Sequence, residues 1–270
     1  MTLELKQVIA KHGQFYVFPE DIYIGRSLET YGQWCEAEVE LFQKILHPGA
    51  CVVEVGANIG SHTVPLAKAV GPAGVVFAIE MQPFVAQVLS TNVLINDITN
   101  VHVVNAGVGA ERSEMRVPLL NYGLEYNYGG ISMGFLESKE GNIAQTVSCA
   151  PLDDLLTLAR LDLLKLDVEK LELAALEGAR GHIDKHRPVI YLECDDPEQA
   201  SGILAFLQSY DYQCFWHRSF LWDPNNTAGQ TENVFGNQRC VNLLAVPAGR
   251  KVEGFEPAPN AASHPKHSGR

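Results

Sequence analysis

Four groups of side chains in this sequence have the residue types and spacing to do chemistry. The first is Glu54, Gly56, Asn58 and Gly60, within CVVEVGANIG at 51–60. An apolar, β-branched run breaks there at small residues, and a helical pattern follows over 61–70. That order leaves backbone N–H groups at a helix start, a cradle for the polar groups of a nucleotide-like ligand. Asn58 suits the turn because Asn, after Gly, best tolerates positive φ. The second group is Glu80 with Met81, at the end of the next apolar run, about twenty residues on. A carboxylate there accepts two hydrogen bonds from a ribose diol. The third is Asp167, Glu169 and Glu193, which end two later apolar runs. At i, i+2 in extended backbone, Asp167 and Glu169 point to one side. Neighbouring carboxylates repel, so they need a metal ion, a hydroxyl, an amine or a raised pKa, and either can serve as a general base. The fourth is His217, a lone proton acceptor. Each has a plainer alternative: a βα turn without a ligand, Glu169 answering the dipole of the helix it starts, a structural His217.

The turn separates two ligand classes that Glu80 serves equally. A dinucleotide fingerprint needs glycines at 58 and 61, where this chain has Asn58 and Ser61. The pattern E-x-G-x-N-x-G instead resembles the first motif of S-adenosylmethionine (SAM)-dependent methyltransferases.

The elements that must position these groups follow from the apolar pattern. Strands are expected at 51–55, 75–79 and 101–105, with helices at 61–70 and 84–96 between them. Such repeats imply a parallel sheet with right-handed crossovers, and its carboxyl edge binds ligands. Asn105 or Ala106 then falls beside an adenine, although Asn105 equally suits a turn. Further strands are expected at 161–166 and 188–192, with 212–216 and 242–246 closing the sheet, the last antiparallel. Asp195 and Asp196 suit a cap for the helix running to Ser209. The fold class is therefore α/β and Rossmann-like, with helices on both faces. Its domain spans 48–248 and follows a β and helix extension at 1–47. A helix at 31–46 in that extension offers Tyr31 and Trp34 either as cleft walls or as core. Residues 115–118 and 145–148 read as a hairpin-like excursion. They enclose a polar, tyrosine-bearing insertion at 121–142, whose GGISMG (129–134) is either a lid or a plain loop. The segment 217–239 is polar enough to contact substrate, and 249–270 reads as a disordered tail.

Composition sets the outer bounds. The 270 residues are 46% hydrophobic and 19% charged, as in a globular protein, with a formal charge of −12. That charge argues against nucleic acid or an anionic membrane as partner. No apolar run is long enough for a membrane span, and the start of the chain carries acid and lacks a signal-like apolar core, so cytoplasmic residence is the default expectation. The 6 cysteines lack zinc-type or C-x-x-C spacing and are expected as free thiols.

Taken together, VVEVGANIGSHTVPLA (52–67), AIEMQP (78–83), Asn96, PLDDLL, LLKLDVE and LELAALEGA resemble the FkbM-type SAM-dependent methyltransferases from about residue 48 to 193. The resemblance implies a seven-stranded methyltransferase sheet and methyl transfer to oxygen on sugars, natural-product scaffolds or carboxylates. It assigns Glu54, Gly56, Asn58, Gly60 and Glu80 to the cofactor and places Asp167 by the sulfonium and acceptor. Lys170 departs from the pattern, which has glycine there; it is expected to narrow the pocket or to pair with Glu169. The candidates for activating a small-molecule acceptor are Asp167, Glu169, Glu193 and His217, in that order. No metal ligand set is assigned; a metal, if required, would be an oxygen-bound Mg²⁺-like ion. Oligomeric state stays open, a homodimer included. An NAD(P)-dependent oxidoreductase and a non-catalytic SAM-binding module are the competing readings.

Overall fold

The computed structural model describes residues 4–130, 144–250 and 252–266. In chain order, a hairpin of β1 (Lys6–Ala10) and β2 (Gly13–Val17) precedes β3 (Cys51–Val55), β4 (Val75–Ile79) and β5 (Val101–Val104). The short β6 (Gly107–Val108) with β7 (Ser113–Pro118) and β8 (Ala144–Ala150) forms a separate small sheet. Then come β9 (Leu163–Leu166), β10 (Val189–Glu193), β11 (Tyr212–Phe220), β12 (Arg239–Pro247) and β13 (Glu256–Pro257).

The central sheet runs β13-β11-β12-β10-β9-β3-β4-β5. Strands β10, β9, β3, β4 and β5 are parallel, and β12 enters antiparallel between β10 and β11. Seven of these strands reproduce the expected methyltransferase order, a class I SAM methyltransferase fold; β13 is an unexpected eighth. All five residues of β3 are buried, as a strand covered on both faces by helices must be. The chain leaves β3 toward β4 and later returns on its other side as β9, so the carboxyl ends of β3 and β9 flank a topological switch point.

Two expectations fail outside this sheet. The helix expected at 31–46 is two helices, Ile24–Tyr31 and Glu36–Ile45, parted where Gly32 (φ 68°) and Cys35 (φ 42°) turn left-handed. Tyr31 is fully buried core, whereas Trp34 reaches the crevice described below. This extension is fastened to the domain: Asn92 and Asn96, on and after helix Pro83–Ile95, hydrogen-bond the backbone of Tyr16 and Gln14.

The expected disordered tail is ordered over 252–266. β13 pairs with β11, Ala258 is buried, and His264 is fully buried with Nε2 2.7 Å from the Cys194 carbonyl. Polar composition hid an apolar contact here, in which Phe255 and Ala258 cover the sheet edge. Of the insertion, 121–130 is described: Tyr122 stacks on Phe18 and packs tilted against Phe84, Tyr128 packs tilted against Phe18, and Gln82 donates to the Tyr128 carbonyl. Most of the lid candidate, from Ile131 on, lies outside the described residues. All 6 cysteines are free thiols. No helix among the described residues is long and apolar enough to cross a membrane.

Candidate active site

The strand alternation that buries β3 also carries its last residues into an open crevice of about 800 Å³ at the carboxyl ends of β3, β4, β9 and β10. One wall is the β3 turn. Gly56 (φ 79°), Asn58 (φ 48°) and Gly60 (φ 90°) all take the left-handed conformations their types allow. Gly56 is also a point of close approach, since a Cβ there would stand 1.7 Å from the Asp167 carbonyl oxygen. Glu80 faces this turn. Its Oε2 accepts from the Asn58 N–H at 2.9 Å and its Oε1 from the Gln82 N–H at 2.8 Å, which fixes a buried carboxylate against the crevice. Burial pushes its pKa up to about 7 against the pull of those two bonds. Met81 and Ala106 line the same wall. Asn105 does not: its amide donates to the carbonyls of Glu80 and Met81, so it orients the loop from outside.

The floor holds a group that sequence reasoning missed. Lys165 stands opposite Glu54 in the β3–β9 register and is only 2% exposed. Its Nζ lies 3.1 Å from Asp167 Oδ2 and 3.8 Å from Glu54 Oε1. Burial disfavours its charge, but attraction to Asp167, Glu54 and Glu38 overrides that and raises its pKa. A lysine inside the apolar run LDLLKLD was the available signal, because a buried ammonium requires nearby carboxylates. Glu54 also accepts from the Thr63 hydroxyl at 2.6 Å, and burial raises it to about 7. Although Glu54 lines the crevice, these partners make it a brace for Lys165 and for the helix start.

The third wall gathers Asp167, Glu169 and Glu193 as expected. The backbone there is not extended: Glu169 and Lys170 have φ of 49° and 78°. The family glycine position thus keeps a glycine-like conformation while carrying lysine. Lys170 neither lines the crevice nor meets Glu169; its Nζ pairs with Asp196 Oδ2 at 3.1 Å, outside. Burial and the charge of Asp167 lift Glu169 to about 8, and the same two causes raise Glu193 well above the ordinary carboxylate range. Asp196 caps helix Pro197–Ser209, accepting from the Glu198 N–H, while Asp195 remains on the rim.

His217 is not part of the site. It sits mid-strand on β11, with Nδ1 2.8 Å from the Tyr191 hydroxyl and its ring edge-on to Phe255. Burial, with a contribution from Lys44, lowers it to about 4. In register it is level with Glu193 across Asn242, but it lies two strands farther along the sheet, and its ring is taken up by Tyr191 and Phe255. From the polar segment 217–239, Leu221 and Asn237–Arg239 line the crevice instead.

The turn, the clamped carboxylate and the concave wall fit an adenosyl sulfonium, because a cation would relieve three buried acids. They fit Mg²⁺ poorly. Among the described residues, Asp167, Glu169 and Glu193 do not bring three ligand oxygens close together, and the one set of three that converges contains two thiols.

Comparison with known proteins agrees. A family model described as the methyltransferase FkbM domain matches residues 54–214. No curated protein matches. Among solved structures, wild-type Trm5b from Pyrococcus abyssi superposes with TM-score 0.50 at 14% identity, over 90% of this chain and 56% of that one. The precorrin-6y C5,15-methyltransferase from Geobacter metallireducens GS-15 gives 0.49 at 16%, over 78% and 86%. The methyltransferase FkbM from Methylobacillus flagellatus KT gives 0.45 at 19%, over 77% of this chain and 50% of that chain. At 14% identity the likeness to Trm5b is one of fold alone.

Proposed function

The chain belongs to the FkbM methyltransferase family and is a SAM-dependent methyltransferase, and from that premise we propose that it methylates a hydroxyl group of a small polar molecule, such as a sugar or natural-product scaffold. The observation that carries this is Glu80, held by the Asn58 and Gln82 N–H groups across from the β3 turn, with an acid-lined space beside it. Bound SAM supplies an electrophilic methyl group on a sulfonium. Glu80 accepts the ribose hydroxyls, the Gly56–Gly60 backbone cradles the polar end, and Met81 and Ala106 flank the base.

Asp167 takes the acceptor's proton. It is paired with Lys165, whereas burial and the charge of Asp167 favour the protonated forms of Glu169 and Glu193, which then donate hydrogen bonds to acceptor oxygens. Alignment and exclusion of water contribute most of the rate, on the order of 7–11 kcal/mol at best. An acidic rim favours a neutral hydroxyl over a carboxylate acceptor and, with the net charge of −12, over RNA.

Thermal shift with S-adenosylhomocysteine and with NAD, followed by labelled-methyl transfer to a panel of polyols and carboxylic acids, tests the proposal. Stabilisation by S-adenosylhomocysteine alone, with label appearing on a hydroxyl, is expected. Label on carboxylates only would overturn the choice of acceptor.

A further inference from the structure

A second group of side chains converges within the crevice wall, apart from the acids that face the acceptor. Cys35 immediately precedes helix Glu36–Ile45, Glu38 lies in its first turn, and Cys240 lies near the start of β12. The two sulfurs are 4.0 Å apart, and with a Glu38 oxygen all three ligand atoms fall within 4.8 Å of one another. The Asn242 amide donates to Glu38 Oε1 at 3.1 Å, which orients the carboxylate. A fourth group stands beside Glu38. His62, just before helix Thr63–Val70, is 4% exposed, and its Nε2 lies 3.8 Å from Glu38 Oε2 without making a hydrogen bond. A buried ring nitrogen left unpaired loses its hydration without compensation. The Ser219 hydroxyl, paired in register with Cys240 and fully buried, faces the Cys35 thiol.

Two thiols and one carboxylate at these separations approximate three corners of a tetrahedron, and the imidazole stands beside the carboxylate, where a fourth would be drawn in. A Zn–S bond of about 2.3 Å sets a sulfur–sulfur edge of about 3.8 Å, close to the spacing seen here. Thiolates select zinc over magnesium or calcium. We propose that Cys35, Cys240, Glu38 and His62 bind one Zn²⁺ ion in a closed, four-ligand structural site. On binding, both thiols lose their protons to solvent and bond the metal as thiolates. The Ser219 hydroxyl then donates to a thiolate, and Lys165, close enough to act on Glu38 electrostatically, offsets the surplus negative charge. Cys240 and His62 both line the crevice, so the ion fastens the N-terminal extension, β12 and the helix after the nucleotide turn into one wall. The site does not depend on which acceptor is methylated.

The test uses the whole chain, purified under reductant, loaded with Zn²⁺ or Co²⁺ and desalted. One zinc per chain by elemental analysis is expected, with a thiolate-to-cobalt charge-transfer band in the Co²⁺ form. Cys35→Ser/Cys240→Ser should abolish that band and weaken zinc at least about 100-fold. His62→Ala and Glu38→Gln should keep the band while weakening affinity about 10–100-fold. Cys149→Ser, remote on β8, should leave both unchanged. Three outcomes overturn the proposal: no charge-transfer band in the wild-type chain, a Cys35–Cys240 disulfide in place of metal, or zinc retained by the double variant. The wild-type cobalt spectrum decides even if a variant fails to fold.

Discussion

Glu80 and Asp167 stand on opposite sides of one crevice and are held by different means. Around Glu80, the polar groups are satisfied by backbone from nearby in sequence: the β3 turn, the Gln82 N–H, the loop after β4 tied by Asn105. Around Asp167, they are satisfied by charge from a neighbouring position in the strand, with Lys165 shared among Asp167, Glu54 and, at longer range, Glu38. Backbone donors stay in place when one side chain changes. A shared ammonium redistributes. The cofactor side should therefore fail all at once when its backbone is disturbed, and the acceptor side should fail selectively.

The hardest test of that contrast is Gly56→Ala, where the two sides touch. A Cβ placed 1.7 Å from the Asp167 carbonyl oxygen must push β3 and β9 apart. A loss above about 4 kcal/mol in urea denaturation is expected, or no folded protein. An unshifted midpoint would show that the close approach is not real. Next in size, Glu80→Ala should lower SAM affinity at least about 100-fold by calorimetry. Asp167→Asn should hold affinity within about threefold and lower turnover about 10²–10⁴-fold. Equal losses of affinity in both variants would erase the distinction between the sides.

A smaller effect should appear with pH. Burial raises Glu54 and Glu80 from an ordinary 4.5 to about 7, so the ligand-free folded chain holds protons that the unfolded chain has released. Their contribution to stability is full below about pH 4.5 and is lost as pH rises through 7. A sulfonium favours the ionised acids, so SAM affinity should rise about tenfold between pH 5 and 7.5 with proton release, and S-adenosylhomocysteine affinity should rise less. The smallest effect is Lys170→Gly. Relief of a left-handed lysine, offset by chain entropy and an exposed ion pair, should stabilise by about 0.5–1 kcal/mol in denaturant and leave SAM affinity unchanged.

The same contrast separates what could be read from the sequence from what could not. The β3 turn and Glu80 are local, so residue type and spacing reveal them; Asn58 at φ 48° is the clearest case. Asp167, Glu169 and Glu193 were found because they end apolar runs at the ligand edge. Lys165 was missed because one charge in a buried strand has meaning only once the neighbouring strand and its Glu54 are known. His217 was misplaced because proton chemistry was weighed without the sheet order, which sets β11 two strands from β10. Cys35 and Cys240, about 200 residues apart, have no spacing to recognise and meet only through the sheet order.

The segment over 252–266 has a further bearing on how the protein matures. It lays β13 on the outer side of β11, docks His264 beneath Cys194, and brings Lys266 to Asp195 on the rim. The nucleoside side of the crevice is assembled from residues within one stretch of sixty or so, whereas the opposite side waits for chain ends joined over long separations. A molecule caught early in folding, or locally unzipped at that edge, should be able to grip its methyl donor before it can recognise anything to receive the methyl group.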